Sequence, residues 1–160
     1  MLVTTFRDIE SLAMTVWQLA GSESQFCQTA VTWLIVNRMA SEQNQPDVAG
    51  VCRHVLHDAG WSEDGTTGPV SQSGNHGDRL TDPRFCRLLI RVLEVLAKEV
   101  NDPTNGARFF HRHDTAPNWS QELEPVALIG AYFFYNVPDP DGRPRGAGTS
   151  VRRMGEQCSC

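Results

Sequence analysis

The chain has 160 residues, 40% of them hydrophobic and 21% charged, with a formal net charge of −5. This length suits one domain with a single sizeable core, and no stretch approaches the roughly 20 apolar residues that a membrane span needs. The acidic balance argues against a nucleic-acid partner, and five scattered cysteines, an odd number, argue against a disulfide scaffold and for reduced thiols.

From Thr5 to Ala20 the apolar residues Phe6, Ile9, Leu12, Ala13, Val16, Trp17 and Ala20 recur at intervals of three and four, which predicts a helix over 5–20. Gly21 ends it, Ser22 or Ser24 caps the next segment, and Phe26, Ala30, Val31, Leu34 and Ile35 keep helical spacing over 24–38. Pro46 and Asp47 open a third helix over 47–57, with Val48, Val51, Val55 and Leu56 on one face. Between Asp58 and Leu80 the chain is rich in Gly, Ser, Thr, Asn and Asp, with Trp61 its one large apolar residue, the composition of a long functional loop.

Asp82 and Pro83 carry an N-cap and first-turn signature. The apolar residues Phe85, Leu88, Leu89, Val92, Val95 and Leu96 then predict a helix over 82–100, expected to be the longest and the core of the domain. Asp102 to Gly106 read as a turn, and the β-prone runs Ala107 to His111 and Leu128 to Tyr135 are expected to pair as a small antiparallel sheet. The fold class is therefore α+β, mainly helical. Residues 1–136 form the domain, and 137–160, with three prolines among Arg143, Arg145, Arg152 and Arg153, read as an extended arm.

Two blocks of sequence resemble a known family. The run Leu12-Ala13-Met14-Thr15-Val16-Trp17, through Ala30-Val31 to Asn37-Arg38, resembles without a gap the opening motif of the SleB-like cell wall hydrolases, which include spore-cortex-lytic enzymes. In that motif an apolar helix is followed by Gly-Glu-Ala-Arg-Gly-Glu and then by a helix that contains Ala-Val and ends in Asn-Arg. Here the six positions are Gln18, Leu19, Ala20, Gly21, Ser22 and Glu23. The run Asp102-Pro103-Thr104-Asn105-Gly106-Ala107 with Phe109, Phe110 and His111, then Trp119, Ile129-Gly130 and Phe134-Tyr135, is similar to the family's closing motif. Between the blocks, Asp58 to Leu80 departs from the aromatic-rich Gln-Phe-Ser segment usual in the family.

The resemblance implies a lysozyme-like fold acting on the glycan strand of peptidoglycan, as a muramidase or lytic transglycosylase does. Such an enzyme needs a carboxylic acid of raised pKa to protonate the glycosidic oxygen. In relatives that acid is the glutamate at the end of helix one. Its position here holds Leu19, which can neither give nor take a proton, and loss of general acid catalysis costs roughly 10²- to 10⁴-fold. Glu23 matches the family's second glutamate and is the alternative acid. One helical turn spans about 5.4 Å, however, and a capping role at the start of helix two is the plainer reading.

Trp61, Trp119, Phe110, His111 and Tyr135 are the candidate substrate-binding residues, with Tyr132 and Phe134 on the same strand as Tyr135. Leu19 is expected at the floor or wall of a groove bordered by Trp61, Trp119 and the strand from Phe109 to His111. Trp17 and Trp33, at helical positions, suit the core. His54, His57, His111, His113 and Asp114 lack an accompanying HExxH or paired CxxC pattern, and Cys158 with Cys160 adds little, so no metal and no cofactor are expected. Two functions stay open: a peptidoglycan-directed hydrolase-family domain impaired at Leu19, or a structural or binding component of a larger assembly such as a phage tail, contacting other chains through 137–160. Arg7, Asp8, Glu10 and Ser11 interrupt any secretory pattern, so the expectation is cytoplasmic synthesis, with release at lysis or carriage on a virion.

Overall fold

A computed structural model describes residues 5–41, 47–61 and 79–136. The expectations for Pro46, for 62–78 of the polar loop, and for the 137–160 arm with Cys158 and Cys160 lie outside the described residues. Among the described residues four helices, α1 (Phe6–Ala20), α2 (Gln25–Ser41), α3 (Val48–Asp58) and α4 (Pro83–Leu96), precede the strands β1 (Phe109–Arg112), β2 (Ala127–Ile129) and β3 (Tyr132–Tyr135). The strands form one antiparallel sheet in the order β1-β3-β2, so the architecture is the mainly helical α+β arrangement expected. No described helix is long and apolar enough to cross a membrane.

Short polar side chains set where each helix starts. Thr5 and Asp8 form a reciprocal capping box at α1, Ser24 Oγ accepts from the Cys27 amide at α2, Asp47 accepts from Ala49 and Gly50 at α3, and Asp82 accepts from Arg84 at α4. The corner between α1 and α2 is closed by Gln28, whose Nε2 donates to the carbonyls of Ala20 (3.2 Å) and Glu23 (3.3 Å). The Ala20 carbonyl, at the end of α1, also accepts from the Glu23 amide at 3.0 Å.

The core helix is α2, not the 82–100 segment. Cys27, Ala30, Val31, Leu34, Ile35 and Met39 are buried together with Gln28, Thr29 and Thr32, so α2 is enclosed nearly all round. Thr29 and Thr32 are tolerated there because each hydroxyl donates to the carbonyl four residues back, at 2.9 and 2.7 Å. At 17 residues α2 is also longer than the 14-residue α4. Helix α4 stops at Leu96 because Lys98 turns left-handed (φ 60°), with its amide on Val95 and the Glu99 amide on Glu94. This is a Schellman ending made without glycine, which left no mark in the sequence.

The run from Leu128 to Tyr135 is not one strand but two. Gly130 (φ 57°) folds it into a hairpin that pairs β2 with β3, while β3 pairs with β1 in the register Phe109↔Tyr135 to Arg112↔Tyr132.

The last turn of α2 ties the helices to the sheet. Asn37 Nδ2 donates to Asp102 Oδ2 (2.9 Å) and to the Ala107 carbonyl (3.2 Å), and Asp102 also accepts from the Thr104 amide, the Thr104 hydroxyl and the Gly106 amide. Asn105 and Gly106 both take positive φ in that turn, held there by the one carboxylate. Asp102→Ala is expected to cost about 2 to 3 kcal/mol in urea unfolding, because a charged acceptor of several bonds is lost, and Asn37→Ala about 1 kcal/mol. Equal stability of Asp102→Ala and the parent would show that the turn holds without its carboxylate.

Candidate functional site

The sheet has two aromatic faces. Phe110, Tyr132 and Phe134 point to the helices and pack on one another, with centroid separations of 5.5 Å for Phe110 with Tyr132 and 6.5 Å for Phe110 with Phe134. Phe109, His111, Phe133 and Tyr135 point the other way, and Trp119, from a short 3-10 turn (Asn118–Ser120), lies edge-on against His111 and Tyr135. His111 is fixed in one tautomer. Its Nδ1 lies 2.7 Å from the Arg112 carbonyl, which can only accept, so Nδ1 donates and Nε2 accepts from the Tyr135 hydroxyl at 2.8 Å. Burial pushes the Tyr135 phenol above its ordinary value, which keeps that donor protonated.

Along β1 runs a cleft of about 740 Å³, whose lining also reaches Tyr132 of β3 and Asn136 just after it. Its walls include Arg38, the end of α3 from Asp58 to Gly60, the strand β1, the segment 115–117 and Trp119. Arg38 organises one end: it donates through Nε to the Arg108 carbonyl, pairs with Asp58 at 2.7 Å, and lies over the Phe109 ring at 5.5 Å. Asp58 is the one carboxylate among the described residues that line the cleft. At the other end Arg112 pairs with Asp114 (3.2 Å), which raises the guanidinium and lowers the carboxyl relative to their ordinary ranges. No group of three or more metal-ligating side chains occurs among the described residues.

Behind the cleft lies a joint between α1, α2 and the β2–β3 hairpin. The Tyr132 hydroxyl donates to the Leu19 carbonyl at 2.6 Å, so the end of α1 is fastened to the sheet through its backbone. The Leu19 side chain is buried with the core, and neither it nor Glu23 is among the residues lining the cleft. Glu23 is half-buried over the hairpin: a Cβ on Gly130 would lie 2.8 Å from Glu23 Oε2 and 2.7 Å from Cys27 Sγ. Burial and the neighbouring Glu23 carboxylate push the Cys27 thiol up to about 12. The Tyr132 hydroxyl rises to about 12 chiefly by burial, with Cys27 and Glu23 adding to the rise and Arg112 opposing it.

The residues singled out in the sequence therefore fall into separate groups. Trp119, His111 and Tyr135 come together on the outer face of the sheet, and Trp119 is 43% exposed. Phe110 is 2% exposed and its ring faces the opposite side. Trp61 is half-buried against the core, one residue beyond the cleft wall at Gly60. Trp17 is a core residue, edge-on to Phe85 at 5.5 Å. Arg38, Asp58 and Arg112 were not singled out as site residues. Arg38 stood in a motif, but Asp58 carried no local mark, because its place depends on how α2 crosses α3.

A profile of the cell wall hydrolase family matches residues 22–135, more than two thirds of the chain. The chain belongs to the cell wall hydrolase family. The domain also superposes on the catalytic domain of the Bacillus cereus SleB protein with a TM-score of 0.57, at 20% identity, over 84% of this chain and 93% of that one. The catalytic domain of the germination-specific lytic transglycosylase SleB from Bacillus anthracis gives a TM-score of 0.55, also at 20% identity, over 83% of this chain and 97% of that one. A comparison with curated proteins found no match. At this identity the two structures establish the fold of the hydrolase domain.

Two predictions concern the joint. Gly130→Ala should destabilise the domain by about 2 kcal/mol or more, since it adds a left-handed non-glycine residue and a clash, and Cys27→Ala should relieve part of the loss. Additive losses in the double variant would place the clash elsewhere. The second concerns pH. An unfolded cysteine ionises near 9.0, whereas burial holds Cys27 to about 12 and Cys52 to about 11, so the unfolded chain releases protons first and stability falls as pH rises above about 9. Urea midpoints at pH 7.5 and 10 should differ less in Cys27→Ala than in the parent.

Proposed function

We propose that this domain binds the glycan strand of peptidoglycan in the cleft along β1 and cleaves it negligibly. Membership of the cell wall hydrolase family supports the polymer, and the Bacillus anthracis neighbour, a lytic transglycosylase, supports the class of bond. The observation that carries the reading is the character of position 19. The gapless motif sets Leu19 where relatives hold the glutamate that protonates the glycosidic oxygen, and the Leu19 carbonyl is joined to the hydroxyl of Tyr132, a residue that lines the cleft, although the Leu19 side chain itself does not. A carboxyl group there would be almost enclosed, which raises its pKa and suits it to act as an acid near neutrality. Leucine supplies no proton. Two other carboxylates are occupied otherwise: Asp58, in the cleft wall, is ion-paired with Arg38, and Glu23, four residues beyond Leu19, faces the Gly130 turn.

The test is gain of function. Leu19→Glu should clear a peptidoglycan suspension at least about 10²-fold faster than the parent, the usual worth of a positioned general acid. It should do so despite a loss of stability from placing a carboxyl group in a nearly buried site. No gain in a variant that still folds, as judged by circular dichroism, would remove Leu19 from the acid position. Measurable parent activity that disappears in Glu23→Gln would assign the role to Glu23 instead.

A further inference from the structure

The free edge of β1 bears an unclaimed pair of backbone groups. In an antiparallel ladder successive residues alternate between those that hydrogen-bond to the partner strand and those whose N–H and C=O point away from it. The His113 amide donates to the Ala131 carbonyl at 2.8 Å, which, with the register Arg112↔Tyr132, directs the backbone of His111 and Phe109 toward β3. The backbone groups of Phe110 and Arg112 therefore face outward, into the cleft that both residues line.

Side chains cap both ends of that edge. Arg38 Nε takes the Arg108 carbonyl, and the Arg112 carbonyl accepts from His111 Nδ1 and from the Thr115 amide and hydroxyl. Between the caps stands Phe110. Among the described residues no side chain and no backbone group outside the sheet pairs with its N–H or C=O, although the residue is 98% enclosed, at 2% exposure. Enclosed backbone groups are almost always satisfied, so a donor and an acceptor left side by side in a cleft call for a partner that offers one of each.

We infer that the outward N–H and C=O of Phe110 bind one secondary amide of the ligand, the N-acetyl group of an amino sugar. The inference rests on the glycan reading above. A secondary amide matches the pair, its oxygen accepting from the Phe110 N–H and its N–H donating to the Phe110 carbonyl. An added peptide strand would need such pairs at every second residue, about 6.8 Å apart, and here Arg38 occupies the carbonyl on one side while Thr115 and His111 occupy the carbonyl on the other. The edge thus has room for a single amide. Ala116, Pro117 and Leu123 among the cleft residues supply apolar surface for a methyl group.

The experiment uses the full chain labelled with ¹⁵N, titrated with the trimer of N-acetylglucosamine and with the trimer of glucosamine, alongside pull-down on insoluble peptidoglycan before and after chemical de-N-acetylation. The Phe110 amide resonance should move with the acetylated trimer and stay in place with the other. De-N-acetylation should weaken retention on peptidoglycan roughly tenfold or more, the worth of two hydrogen bonds, and re-acetylation should restore it. Equal binding of both trimers would overturn the amide inference and leave the glycan reading standing. Retention that is lost on removal of the stem peptides but is indifferent to acetylation would overturn it in favour of a peptide ligand. Failure to bind any of these glycans would overturn both readings.

Discussion

The contact between Asn37 and Asp102 is the point on which the domain turns. Asn37 lies near the end of a helix buried nearly all round, and Asp102 opens the loop that leads into the sheet, 65 residues further along the chain. A single amide side chain holds the Asp102 carboxylate, and that carboxylate holds the Thr104 and Gly106 amides in a turn with two positive-φ residues. Without this tie the entry into β1 would have no set direction. The neighbouring Arg38 extends the tie outward, from the Arg108 carbonyl to the Phe109 ring and to Asp58 on α3. Adjacent residues at one helix end therefore place both the sheet and one wall of the cleft.

The sheet shows how a small two-sided layer can serve packing and binding at once. Phe110, Tyr132 and Phe134 complete the helical core, while His111, Tyr135 and Trp119 build a second, shallower cluster that includes the protein's most exposed tryptophan among the described residues. In that cluster both ring nitrogens of His111 are hydrogen-bonded, one to the Arg112 carbonyl and one to Tyr135, so the imidazole braces the cluster. Its hydrogen bonds hold the edge of β1 in shape from the inside.

How much of this could be read from the residues follows the range of the interaction concerned. Helix starts depend on a side chain and an amide two or three positions on, so Asp82 before Pro83 and Ser24 before α2 announced themselves. The end of α4 depends on Lys98 adopting a backbone state that usually belongs to glycine, and the periodic run beyond Leu96 concealed it. Gly130 was visible as a glycine in a β-prone run, but only its positive φ and the approach of Cys27 and Glu23 turn that run into a hairpin. Trp119 and His111 were recognisable as site candidates from a motif. Asp58 and the outward backbone of Phe110 were not, because one depends on a helix crossing and the other on the parity of a strand register.

The fastening of α1 to the sheet runs from the Tyr132 hydroxyl to the main-chain oxygen of residue 19, not to its side chain. That choice of atom separates heritable chemistry from architecture. A carbonyl is the same in every amino acid, so the residue at position 19 can be exchanged without removing the acceptor that holds the end of α1 to the sheet. Wherever a fold secures a position by its backbone alone, side chains of different chemistry can share the same scaffold, a single codon apart.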